Sequence, residues 1–408
     1  MAIRILLKLK SLKSNFLRSE KGLALILVLS LIGVILAVLA EILFQSQITV
    51  RTSVGIRDKA RAEMSALTGA QFAKMLVGLD VQINELTDEN NKQIPAQFKG
   101  MAKEMISGFK QQLGGKSFAQ LLDGFPIGAE GLDSIADLAK LNINALLDES
   151  LLAALKAVPG YFVVNTINES AKLNLNSLGG SAEKGIMLLA LKRLFSMPHE
   201  AKFLQEKGFE PARLAANIKD YIDSDSIDEI DRGDEITQYE RLKYKHGPKN
   251  GRLESLEELH RVPGFNDDEI YKIFTPYFTV WPLDAQGKSL DINAASVELL
   301  SALMTKEGSD VNDSEIDKLE DFRSKGTPFT KIQDVSQFFE PLTKPDAESK
   351  NILSGLTGMK SSIYHIEVRG VSAGVEAVYE MVIETVKAKA GSKEAPKSPI
   401  RVVYQRFK

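Results

Sequence analysis

The sequence predicts an α+β chain: a long N-terminal helix, then strands, a large helical block, and strands again. Three observations predict it. An uncharged apolar run, Leu23 to Ala40, opens a helical periodicity that continues to about residue 80. Clusters of β-branched and aromatic residues occupy 161–167, and recur at 363–370, 375–386 and 401–407. Between them, most segments from 182 to 338 read as helices joined by acidic or Gly/Pro loops.

Residues 1–22 form a basic leader. Arg4, Lys8, Lys10, Lys13, Arg18 and Lys21 are opposed only by Glu20. Leu23 to Phe44 then spans roughly 33 Å as a helix, enough to cross a bilayer core. The Lys/Arg excess before the span keeps the N-terminus in the cytoplasm, so the chain after Glu41 lies on the far side. A Sec signal peptide fits less well, because the run is long and no small-x-small cleavage site follows it.

Past Phe44 the helix becomes amphipathic. Ile48, Val54, Ile56, Ala60, Met64, Leu67, Ala70, Phe72, Met75 and Leu76 recur every three or four residues. One helix over 23–80 is expected, with Gly55 the place where it would break. Residues 81–156 read as a variable helical expansion, with helices over 95–113 and 134–157 separated by glycines at 114, 115, 124 and 128. Residues 157–178 and 361–408 are expected to form one sheet, its apolar face packed on the lower half of the N-terminal helix. Residues 179–360 are the inserted helical domain, with short strands at 277–281 and 289–293. The polar stretch 387–397 reads as a loop.

Composition narrows the chemistry. Hydrophobic content of 44% and charged content of 26% are those of an ordinary globular protein, and a net charge of −3 gives no bulk attraction to nucleic acid. With no Cys, disulfides, thiolate metal sites and cysteine nucleophiles are excluded. The four His are scattered without zinc spacing. No GxSxG, P-loop or GxGxxG opens a helix, so a structural protein is expected, not an enzyme.

The densest polar constellation runs from Asp220 to Glu235. Asp220, Asp223, Asp225, Asp228, Glu229, Asp231, Asp234 and Glu235 place eight carboxylates in sixteen residues. Crowded oxygens of this kind suit Ca²⁺, which takes six to eight oxygen ligands. The loop is not an EF-hand: counted from Asp223, Asp228 stands sixth, where a Gly is needed. The competing reading is a solvated acidic loop. Two phrases, 256–270 around Pro263-Gly264 and 290–300, resemble helix-hairpin-helix modules. The favoured reading of both is structural, since residues 201–300 carry 20 Asp/Glu against 13 Lys/Arg, which opposes phosphate contact.

Lys21-Gly22 directly before Leu23-Ala-Leu-Ile-Leu27 resembles the processing site of type IV prepilins, in a form that lacks the usual fifth-position Glu. Further phrases sharpen this. They are 168–176 (Asn-Glu-Ser-Ala-Lys-Leu-Asn-Leu-Asn), Asp220-Tyr-Ile-Asp223-Ser-Asp225, and Gly233-Asp-Glu235 with Tyr239. Residues 250–265 and 291–300 (Asp-Ile-Asn-Ala-Ala-Ser-Val-Glu-Leu-Leu) complete the set. Together they resemble the minor pseudopilin K family of type II secretion systems.

The resemblance implies a type IV pilin-like fold with a large inserted α-helical domain. It implies cleavage between Gly22 and Leu23 by the prepilin peptidase and methylation of the new amine. It implies a single-pass inner-membrane protein with the bulk of the chain in the periplasm. The partners implied are the I and J minor pseudopilins and the major pseudopilin, and no nucleic acid. The role implied is initiation of the pseudopilus at its tip, in support of export of folded proteins. Calcium would be held by Asp223, Asp225 and Glu235, with Asp220, Asp228, Asp231 and Asp234 available to complete the shell. Ile236 stands where the family has a further acid, which shifts that ligand to Asp231 or Asp234. In a pilin bundle the fifth-position Glu neutralises a neighbour's N-terminal amine. Leu27 suits a subunit with none above it. The alternative reading is a membrane-anchored competence protein that binds DNA through its helix-hairpin phrases.

Overall fold

The computed structural model describes residues 20–87, 123–129, 157–179, 184–240, 245–283, 290–309, 313–325, 331–358, 362–385 and 400–408, with 120, 153–155, 242 and 329. The leader before Glu20, most of the 81–156 expansion and the 387–397 loop lie outside the described residues.

Helix α1, Glu20–Thr87, is a single helix of 68 residues. It passes through Gly55 without a break, and that glycine has nothing packed against it. Residues Gly22–Gln82 include a stretch apolar enough to cross a membrane, with none of it buried against the rest of the chain. Farther along, the helix turns a stripe of small residues inward: Ala62, Ala66, Ala70, Ala73 and Val77 are fully buried. Small side chains at that spacing let the helix axis approach a sheet closely.

That sheet has five strands in the order β1 (Pro126–Gly128), β2 (Tyr161–Asn168), β7 (Ile363–Ser372), β8 (Val375–Thr385) and β9 (Ile400–Phe407), antiparallel throughout. Its register puts Phe162 beside Gly370, and Val164, Val368 and Tyr379 in one row. The apolar members of these rows form one core with α1, in which Phe72 and Phe162 meet at 6.2 Å.

The helix runs the length of the sheet. Ala62 and Ala66 lie against Gly370, and Gly78 lies against Ile400. Ile400 pairs with Thr385, in the row end that also contains Ile363 and Asn168. The chain leaves the sheet at Asn168 and re-enters it at Ile363. The insertion therefore springs from the sheet end farthest along α1 from the apolar span. Counting from Phe44 to Gly78, that is about 50 Å at 1.5 Å per residue. Ser170 Oγ accepts the N–H groups of Ser362 and Ile363, both at 3.0 Å, and so closes the neck of the insertion.

The insertion has its own core. Helices α2 (Lys184–Phe195), α3 (Pro198–Glu206), α4 (Pro211–Ile222), α6 (Asp268–Phe274), α7 (Val297–Met304), α8 (Asp313–Ser324), α9 (Ile332–Phe339) and α10 (Ala347–Leu356) gather around it. α5 (Ile236–Tyr239) is a single turn. Phe195 is central, its ring 4.7 Å from Phe274 and 6.1 Å from Phe278 in edge contacts. Arg193 is buried within this unit, donating to Asp346 and Glu348 at the start of α10.

Three details differ from the sequence expectation. Within the 81–156 expansion read as helical, Pro126–Gly128 is β1, an edge strand of the main sheet, because its backbone pairs with Tyr161–Val163. Leu173–Asn174 (β3) does not extend the main sheet; it pairs in parallel with Phe278–Thr279 (β4). Leu173, Leu175 and Leu178 belong to the helical core, and Asn176 Nδ2 donates to the carbonyls of Leu253 and Val280. Alternation of Leu and Asn marks a two-faced strand, but not which partner it takes. The predicted strand at 289–293 is the two-residue β5 (Leu290–Asp291), parallel to β6 (Thr357–Gly358). In the Pro263-Gly264 turn, Gly264 adopts φ 98° and its N–H is already taken by Asn266 Oδ1 at 3.0 Å. That is a structural turn with its amide spent internally.

Candidate metal centre

Helix α4 presents the first half of the acidic constellation. Pro211 stands at its start, and Leu214, Ala215, Ile218, Tyr221 and Ile222 fill the core side. Asp223 caps its C-terminus with its N–H on the Lys219 carbonyl at 2.9 Å. The following loop folds back on itself. Ile227 bridges to Asp234, Asp228 N–H reaches the Gly233 carbonyl at 2.9 Å, and Arg232 takes φ 56°. Asn250 tethers the loop to the helix end, with its N–H on the Tyr221 carbonyl and its Nδ2 on the Asp225 carbonyl, both at 3.0 Å. This return brings Glu235, at the head of α5, beneath the end of α4.

Asp220, Asp223 and Glu235 converge there. Each offers one carboxylate oxygen, and the three lie within 4.8 Å of one another. Their residues are 3%, 5% and 1% exposed. Oxygens bound to one calcium at about 2.3–2.6 Å stand at most about 5 Å apart, so the spacing fits that ion. Both oxygens of Glu235 lack a hydrogen-bond partner, and so does the buried Tyr239 hydroxyl. Buried polar atoms of this kind are costly unless something else satisfies them.

The electrostatics show the same demand. Burial raises the Asp220 carboxyl to about 7, helped by Asp228 and Asp223 and opposed by the Glu229 N–H. Burial, then the charges of Asp220, Asp223, Asp225 and Asp228, raise Glu235 to about 8. Asp220 and Glu235 so placed resist ionising without a cation.

The other predicted ligands point elsewhere. Arg213 donates to both oxygens of Asp228 at 2.9 and 2.7 Å, and to Asp231 at 2.6 Å. Burial works against the charged form of Asp228, but the Asp231 N–H and Arg213 outweigh it and hold its carboxyl below the usual value. Asp225 and Asp234 are exposed, and each accepts an N–H of its own loop, from Ile227 at 3.0 Å and Ile236 at 3.1 Å. Ile236 itself is exposed.

Sequence reasoning missed two basic residues. Arg213 lies fifteen positions before Asp228 and Lys219 ten before Glu229, spacings with no local signature. Lys219 is 8% exposed at its side chain, lies 3.4 Å from Asp223 and contacts Glu229. Leu23 and Leu27, which the prepilin resemblance singles out, are exposed on the first turns of α1, Leu27 by 61%.

Residues 171–283, which contain the whole acidic loop, match the family model for type II secretion system (T2SS), protein K. No curated protein sequence is matched. Among solved structures, the chain is similar to one in the crystal structure of the GspK-GspI-GspJ complex from the enterotoxigenic Escherichia coli type 2 secretion system. That likeness has 17% identity and a TM-score of 0.45, and covers 61% of this chain and 80% of that one. Over residues 171–283 this chain is similar to the type II secretion system protein K family.

Proposed function

We propose that this chain is the minor pseudopilin that occupies the tip of a type II secretion pseudopilus. There it initiates assembly together with I- and J-type minor pseudopilins and supports export of folded proteins through the outer membrane. One observation carries this reading: the helical insertion springs from the sheet end remote from the membrane span. In a fibre built by stacking parallel α1 helices, a unit of that size at the distal end occupies the space of the next subunit above. Leu27 supports the reading from the other end of the helix. It offers no carboxylate to a neighbouring amine and needs none in an apolar bundle.

In this reading the prepilin peptidase cuts after Gly22, α1 anchors the chain in the inner membrane before assembly, and the sheet and insertion lie in the periplasm. Asp220, Asp223 and Glu235 hold Ca²⁺, which ties the end of α4 to α5. The ion would add positive charge to these buried carboxylates beyond that of Lys219. In that crystal structure GspK is in complex with GspI and GspJ. Equivalent partners are proposed here.

The test is the position of labelled subunits along isolated pseudopili by electron microscopy. Label confined to one end is the expected result. Label distributed along the shaft would defeat the tip assignment.

A further inference from the structure

The Lys219 ammonium touches the carboxylate triad at Asp223. It stands one helical turn before Asp223 on α4, so the helix itself delivers its side chain to that carboxylate. Its stem is packed in the protein, with 8% of the side chain exposed. It therefore cannot retreat into solvent as surface lysines do. Two acceptors lie within its reach. One is Asp223, at 3.4 Å, a member of the triad. The other is Glu229, outside the triad and more exposed. Glu229 also donates its backbone N–H to Asp220 at 3.2 Å, so it is fixed relative to the site.

We infer that Lys219 is a built-in competitor of the metal. It shares Asp223 with the cation, and Glu229 is the alternative anion that draws it aside when the ion binds. The inference rests on the calcium reading above and concerns how that site is tuned. A divalent ion on Asp223 and an ammonium on the same carboxylate repel each other strongly at this separation and burial. Binding is then an exchange: the ion enters, and the Lys219 ammonium shifts its full weight to Glu229. The exchange lowers affinity below what three buried carboxylates would otherwise give. It also leaves the metal-free loop with an internal counter-charge. The site is then weaker and more responsive to calcium concentration than an uncompensated triad would be.

The two sides of the exchange predict opposite effects. Lys219→Met keeps the length and packing of the stem and removes the charge. It should tighten calcium binding by roughly tenfold or more. Glu229→Gln removes the alternative anion and leaves Lys219 on Asp223. It should weaken binding by a comparable factor. The measurement is calorimetric titration of calcium into the full-length detergent-solubilised chain and its two variants, each first stripped with a chelator. Melting of the stripped proteins reports whether each is folded.

Tighter binding by Lys219→Met cannot arise from damage to the fold, and is the expected result. Unchanged or weaker binding by a folded Lys219→Met would overturn the inference while leaving the metal site standing. If that variant does not fold, Glu229→Gln decides, and unchanged or tighter binding there overturns it equally. A wild-type chain that takes up no calcium removes the metal site and this inference together.

Discussion

A Cβ placed on Gly370 would lie 2.5 Å from the backbone nitrogen of Ala66 and 2.1 Å from the carbonyl oxygen of Ala62. Helix α1 and the sheet meet there with no room for a side chain. Gly370→Ala should therefore lift α1 from the sheet and destabilise the chain by about 2 kcal/mol or more. Ala66→Gly should fail to rescue it, because the obstruction is backbone. Thermal melting of the two single variants and the double variant checks both statements.

The acidic triad makes a pH prediction whose sign is fixed by its raised carboxyls. Asp220 and Glu235 bind protons more tightly in the folded chain than in the unfolded one. Their contribution to stability is complete below the ordinary carboxylate range and is lost as pH rises through about 7 and about 8. In chelator, the melting temperature should fall as pH is raised from about 5 to about 8. Calcium should remove that fall, since the ion favours the ionised carboxylates, and its binding should release protons near neutral pH. Melting curves with calcium and with chelator across this range, together with calorimetry in buffers of different ionisation enthalpy, test it. No calcium dependence at any pH would rule out the site.

Arg213 holds Asp228 and Asp231 and so keeps them from the triad. Asp228 is buried, and Arg213→Ala would leave its carboxylate facing only backbone N–H groups. The expected loss is about 3 kcal/mol. Replacing both residues by Ala should cost less than Arg213→Ala alone, because the stranded charge goes with its partner. A double-mutant cycle by thermal melting reads the difference.

Processing is tested at the other end of α1. Gly22→Asp should block cleavage and leave the leader attached. Mass spectrometry of the membrane-extracted protein should show the wild type beginning at Leu23. A wild-type N-terminus at Met1 or beyond Phe44 would exclude prepilin-type processing.

The sequence by itself determined the elements whose patterns are local. The apolar run and its 3.6-residue continuation specified α1, and β-branched clusters specified β2, β7, β8 and β9 to within a residue or two. The acidic loop was visible as composition, because eight carboxylates in sixteen residues need no partner to be noticed. Tertiary structure decided which of them act together. Asp220, Asp223 and Glu235 converge because the loop folds back and Asn250 ties it down. Asp228 and Asp231, identical in kind, are withdrawn by Arg213. The same holds for Leu173–Asn174, whose alternation fixed a strand while the partner came from a residue pair about a hundred positions away. Periodicity and charge density are properties of neighbouring residues. Strand partner, carboxylate partner and the close approach at Gly370 are set by which surfaces the two cores bring together, and no local pattern encodes them.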